Sequence, residues 1–139
     1  MAELFTQSLE GVEFQDAWIE GDATGRWRSG SGHGPGDGAS ASGSSLLEIE
    51  PGHRLPRHTD SAEETIVVVT GAASIARDGE RGVLGAGGVA MIPAQAPHEV
   101  SNEGDDVLRF VAVYADIGVV TTYEDEVQPD GSRERQTVG

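Results

Sequence analysis

The sequence predicts an all-β domain, and three observations carry that prediction. Short runs rich in β-branched and aromatic residues recur along the chain, the clearest being Thr65-Ile66-Val67-Val68-Val69-Thr70. Turn-forming clusters, Asp78-Gly79, Gly85-Ala86-Gly87 and Glu103-Gly104-Asp105-Asp106, separate the runs. No segment sustains the i, i+3, i+4 apolar spacing that lets a helix bury one face. Many short strands with tight turns fold as a sandwich or closed barrel. At 139 residues the chain can bury one core but not two.

Taken in order, residues 1–28 read as N-terminal strands. The mixed apolar and acidic stretches Val12-Glu13-Phe14-Gln15 and Trp18-Ile19-Glu20 are broken by Gly11, Gly21 and Gly25. Residues 29–45 are almost entirely Gly, Ser, Ala, Pro and Asp, a composition that predicts a flexible loop; His33 within it could reach a pocket as part of a lid. Residues 46–123 read as the barrel, with strands at 46–50, 65–70, 72–76, 88–92, 98–102 and 107–115. Residues 124–139, with Pro129-Asp130-Gly131 and mixed charges, read as a flexible tail.

Two stretches carry the chemistry. Gly52 is followed by five residues, His58, one residue, Asp60, three residues, Glu64, six residues and Gly71. Further on, Gly87 is followed by five residues, Pro93, one residue, Gln95, two residues, His98, three residues and Asn102. Side chains alternate along a strand, so His58 and Asp60 share a face. Glu64 keeps that parity, which predicts that one hairpin presents all three. His98, from a distant strand, then closes a cage. Two imidazoles and two carboxylates suit one divalent transition metal, Fe, Mn, Ni or Zn. If Glu64 swings away, His58, Asp60 and His98 alone make the two-His-one-carboxylate arrangement of oxygen-activating iron sites. His53, just before Pro56, reads as a surface side chain.

This two-part pattern resembles that of the cupin superfamily over roughly residues 45–114. Every spacing agrees, and two identities differ: Asp60 stands where a second His is usual, and Gln95 where a Gly is usual. The resemblance implies a cupin-type double-stranded β-helix, or jelly-roll barrel, with His58, Asp60, Glu64 and His98 as metal ligands. It also implies a scaffold shared by dioxygenases, isomerases, lyases and decarboxylases, so the fold alone does not name the reaction. Replacing a His by Asp60 lowers the charge of a dication site from about +1 to about zero, which weakens its pull on anions.

The expected function is a metal-dependent enzyme of the dioxygenase type acting on a small organic molecule. Glu64 is the candidate general base, able to take a proton from a coordinated hydroxyl or enol. The same ligands around a non-redox ion would instead support an isomerase or lyase working through an enolate, and a closed coordination sphere would make a non-catalytic binding module. On the strand at 107–115, alternation groups Phe110, Ala112 and Tyr114, an aromatic set suited to a substrate pocket, and puts Arg109 with Val111 and Val113 on the other face. Val67 and Val69 point away from the metal side, which predicts an outer sheet covered by a second subunit in a homodimer.

The net charge of -15, from 24 acids against 9 arginines, argues against nucleic acid and anionic membranes as partners. There is no cysteine, hence no disulfide or thiol nucleophile. Residues 1–10 carry acids in place of a basic segment followed by an apolar one, so the expected location is the cytoplasm.

Overall fold

The computed structural model describes residues 4–138; Met1–Glu3 and Gly139, at the ends of the predicted N-terminal and tail segments, lie outside the described residues. The strands are β1 (Gln15–Trp18), β2 (Arg26–Ser31), β3 (Gly43–Ile49), β4 (Arg54–Asp60), β5 (Glu64–Thr70), β6 (Ala72–Arg77), β7 (Glu80–Gly85), β8 (Val89–Ile92), β9 (His98–Ser101), β10 (Leu108–Tyr114), β11 (Val119–Val127) and β12 (Ser132–Val138). They form two six-stranded sheets, ordered β1-β2-β3-β10-β5-β8 and β12-β11-β4-β9-β6-β7. The sheets pack face to face as the predicted jelly-roll barrel.

Alternation sets the core. On β10 the buried set is Leu108, Phe110, Ala112 and Tyr114, while Arg109, Val111 and Val113 face outward and are half-buried. Fully enclosed Ile49, Ile66, Val68 and Phe110 from the first sheet join Ala73, Val100, Val119 and Val127 from the second in one apolar cluster. Each large side chain buried there contributes on the order of 1.5–3 kcal/mol. At the start of β6 the chain turns at Gly71, whose φ of +76° belongs to the left-handed region. A Cβ there would also lie 2.7 Å from the Val107 carbonyl oxygen, so the spacing that ends the first motif ends it on a residue that must be glycine.

Three expectations are corrected. Asp60 and Glu64 do not face each other across a hairpin, because β4 belongs to one sheet and β5 to the other. Residues 61–63 carry the chain over the edge of the barrel, and the ligands meet across the gap between the sheets. The Gly/Ser-rich segment is ordered into strand at both ends, through Ser31 in β2 and from Gly43 in β3. Its glycines permit close packing: a Cβ on Gly43 would overlap Val138 Cγ1 on β12. The expected tail instead completes β11 and forms β12, which pair antiparallel as the edge of the second sheet. The sequence of β12, Ser-Arg-Glu-Arg-Gln-Thr-Val, is polar because one face of an edge strand is solvated.

Candidate metal centre

β4 presents His58 and Asp60, β5 begins at Glu64 and β9 begins at His98, and all four side chains are buried. The pairing explains how they meet: His58 lies opposite His98 in the β4–β9 register, and Asp60 two positions on faces the same way. One ligand atom from each residue falls within 4.8 Å of all the others. His98 Nε2 is 3.0 Å from Glu64 Oε1 and 3.5 Å from Asp60 Oδ2, and His58 Nε2 is 3.7 Å from Asp60 Oδ2.

Backbone carbonyls set both imidazoles. His58 Nδ1–H donates to the Pro56 carbonyl at 2.7 Å, and His98 Nδ1–H donates to the Ala96 carbonyl at 2.9 Å. A carbonyl only accepts, so each Nδ1 carries the proton, and a neutral ring turns the lone pair of Nε2 into the centre. That orientation is the one metal-ligating histidines adopt. Asp60 is held in the same manner: Thr121 Oγ1–H donates to Asp60 Oδ1 at 2.7 Å, and the Thr137 hydroxyl meets that of Thr121. Asp60 Oδ2, turned toward both histidines, finds no hydrogen-bond partner. Two imidazole lone pairs and carboxylate oxygens converging on one point lack only a cation, and the donor set fits a divalent transition metal.

The electrostatics of the bare cluster agree. Burial, reinforced by the charge of Asp60, pushes the Glu64 carboxyl up to about 7. Burial and the neighbouring His98 bring His58 down to about 4. Burial also opposes a charge on His98, but the hydrogen bond and charge of Glu64 outweigh it, and its affinity for a proton is raised. Protons on the Glu64–His98 pair thus occupy the place a metal would take.

A cavity of about 680 Å³ opens beside the cluster, between the β1–β2–β3 end of one sheet and the β11–β12 hairpin of the other. His58, Asp60 and Tyr114 line it, together with Trp27, Thr121 and Tyr123. Of the two residues expected to wall a pocket, Tyr114 does line it, opposite Glu64 in the β10–β5 register. Phe110 does not; it is fully enclosed in the apolar core farther along β10. Sequence reasoning missed Thr121 and Tyr123. The alternation Val119-X-Thr121-X-Tyr123, buried at each of these positions, was the available signal.

The other singled-out residues serve the frame. Asn102 donates from Nδ2 to the Ile49 and Asp106 carbonyls, both at 2.8 Å, and accepts from the Gly104 amide. Gln95 adopts φ +64°, and its amide donates to the Asp60 carbonyl at 2.8 Å, tying the turn before His98 to the strand that carries Asp60. Arg109 pairs with Glu48 at 2.8 Å on the outer face, away from the cavity. His33 is bonded to the Ser42 and Ser44 hydroxyls in a separate outer hollow of about 870 Å³, which holds none of the four ligands. His53 is half-buried and lines a shallow hollow with Thr24 and Arg54.

Residues 45–114 match the family model described as Cupin domain. Among solved structures, the chain is similar to the polyketide cyclase RemF from Streptomyces resistomycificus, at 20% identity over 81% of this chain and 79% of that one, with a TM-score of 0.67. A predicted oxalate decarboxylase from Thermotoga maritima is 17% identical over 81% of this chain and 99% of that one, with a TM-score of 0.68. The oxalate decarboxylase of Bacillus subtilis is 24% identical over 66% of this chain, with a TM-score of 0.59. The match spans only 26% of the length of that larger protein. At these identities the likeness establishes the fold. No curated protein matches the sequence.

Proposed function

Because the chain belongs to the cupin domain family, we propose that it is a metal-dependent enzyme acting on a small organic molecule, with dioxygenase-type chemistry. His58, Asp60, Glu64 and His98 would hold one divalent ion, Fe, Mn, Ni or Zn. A redox-active ion so held supplies electron exchange with dioxygen, whereas Zn supplies Lewis acidity alone. The observation that carries this reading is the buried, unpartnered Asp60 Oδ2, aimed at two imidazole nitrogens whose lone pairs point inward.

The chain's own groups then have definite tasks. Pro56 and Ala96 carbonyls fix the imidazoles, and Thr121 fixes Asp60, so little reorganisation accompanies binding of the ion. Glu64 is the candidate general base: a carboxylate able to exchange between the ion and a proton could take one from a substrate hydroxyl or enol brought to the cluster. Tyr114 and Tyr123 keep their hydroxyls protonated through burial and act as donors.

A second reading, a non-redox isomerase or lyase, draws support from the likeness to RemF, described as a polyketide cyclase, over most of both chains. A non-catalytic small-molecule-binding module is the third. Metal analysis of protein purified without a metal-binding tag, paired with dioxygen uptake on catechols, diketones and thiols, separates them. Stoichiometric Fe, Mn or Ni with substrate-dependent uptake is expected. Zinc without uptake would replace the oxygenase by the isomerase or lyase, and no bound metal would leave the binding module.

We also propose a homodimer, with Val69, Val89 and Met91 at its interface. These side chains are 40%, 60% and 56% exposed on adjacent outer positions of β5 and β8. Their outward neighbours on β5 and β10, Thr65, Val67, Val111 and Val113, carry no acid, in a chain whose net charge of -15 otherwise repels its own copies. Sedimentation should give twice the chain mass, and Val89→Asp should give the monomer. No helix among the described residues is long and apolar enough to cross a membrane.

A further inference from the structure

The charge and texture of the cavity narrow its ligand. Its volume of about 680 Å³ lies within the range that holds a ring-sized molecule, and a two- or three-carbon acid would leave most of it to water. Among the described residues lining it, Arg135 is the only cationic side chain, and that guanidinium is engaged by Asp130 at 3.4 Å. His58, which also lines it, is held by the Pro56 carbonyl with its Nε2 turned to the cluster. Against this stand Glu13 and Asp16 at the mouth, the latter paired with Arg28, which itself lies outside the lining. Two carboxylates in the cluster cancel the charge of a dication, so the floor offers no net positive field either.

The walls have the opposite character from an anion clamp. Trp27 and Tyr123 lie 5.4 Å apart between ring centroids, and Tyr123 is 5.2 Å from His58, which sets a continuous aromatic wall beside a ligand imidazole. The same cavity is lined by short hydroxyl and amide groups, Ser29, Ser31, Ser45 and Gln136. Aromatic walls hold flat apolar rings, and a hydroxyl-rich rim pairs with neutral donors and acceptors.

We propose that this cavity selects an uncharged, ring-bearing diol and rejects its carboxylate counterpart. The proposal rests on the metal-centred reading above for the position of the reacting end of the substrate, and on the lining alone for the charge preference. A ring seated beside Trp27 and Tyr123 would direct one edge, bearing the two hydroxyls, toward His58 and Asp60. A carboxylate there would meet a floor with no net positive charge, the acids Glu13 and Asp16 at the mouth, and no free cationic side chain.

The test compares two probes of the same ring system, 2,3-dihydroxynaphthalene and 3-hydroxy-2-naphthoate, titrated calorimetrically into manganese-loaded protein. The diol should bind at least about tenfold more tightly. Asp130→Asn keeps the acceptor for the Ser132 amide but frees Arg135; it should strengthen naphthoate binding by about threefold or more and leave the diol unchanged. Equal or tighter binding of the naphthoate by the parent protein, or failure of both probes to bind, would overturn the proposal. So would an Asp130→Asn variant that strengthens both probes alike. A parallel titration without metal keeps the two readings apart: a diol preference that persists unchanged there supports charge selection by the lining while removing the metal from substrate binding.

Discussion

The motif strands β4, β5 and β9 and the C-terminal hairpin β11–β12 build the same centre by different rules. The first group supplies donor atoms, which must be His, Asp or Glu at spacings that put them on one face. The hairpin supplies Thr121 and Tyr123, which need only reach Asp60 and His58 across neighbouring positions of one sheet, through the pairs Thr121–Asp60 and Tyr123–His58. Coordination leaves a spacing signature in the chain, and support leaves almost none. A site read from donors alone is therefore read only in half.

Removing a donor tests the first group and should have the largest effect. His98→Ala or Glu64→Ala is expected to lose stoichiometric metal on gel filtration, read by mass spectrometry. Full retention by either variant would sink the four-donor cage. Removing metal from the intact cage should reveal its bare charges. Glu64, raised to about 7, favours the folded state while protonated and loses that contribution as pH climbs from its unfolded value through 7. His98, also raised, loses its contribution as pH rises above its unfolded value. His58, lowered to about 4, works the other way and costs stability as pH falls from about 6.5 toward 4. The opposing slopes of Glu64 and His58 nearly cancel between about pH 4.5 and 6.5, so urea stability of chelator-treated protein should be flat there and fall as pH rises above about 6.5. With metal bound, the slope should turn upward, because ligation requires the deprotonated forms.

The hairpin's share is smaller and more specific. Thr121→Val leaves Asp60 Oδ1 without its donor and should weaken metal binding by about 10-fold to 100-fold. Thr121→Ser should restore most of it, whereas equal losses in both would assign Thr121 a packing role. The smallest effect lies in the turn between β8 and β9. Gln95 holds a left-handed conformation where glycine is usual in the family, so Gln95→Gly should raise stability by up to about 1 kcal/mol, measured by chemical denaturation. A loss would mean that the Gln95 side chain contributes more than its backbone costs.

The same division explains what could be read from the sequence. The apolar β-branched run at Thr65–Thr70 and the alternation along β10 announce strands because burial on one face writes a period of two. β12 writes no such pattern, since Arg133, Arg135 and the other polar side chains of an edge strand satisfy water as readily as a tail does. Gly43 looks like flexibility in a one-dimensional reading and is close packing against Val138 in three dimensions. His58, Asp60, Glu64 and His98 were legible by number. That β4 and β5 lie in different sheets was not, because side-chain parity fixes the face a residue takes on its strand and says nothing about which sheet the strand joins. Phe110 and Tyr114 share a face, yet only the position along β10 decides that one seals the core and the other borders the cavity.

The passage of the chain between sheets at residues 61–63 has a kinetic consequence. Before the sandwich closes, His58 and Asp60 are near each other in sequence, but Glu64 is on the opposite sheet and His98 is forty residues farther along the chain than His58. An ion met early finds at most a weak two-point grip; the full cage is assembled only by the last long-range contacts. A cage assembled in this way captures its ion only after folding, and the cavity onto which His58 and Asp60 open, not a parting of the sheets, is the path by which an ion would enter and leave.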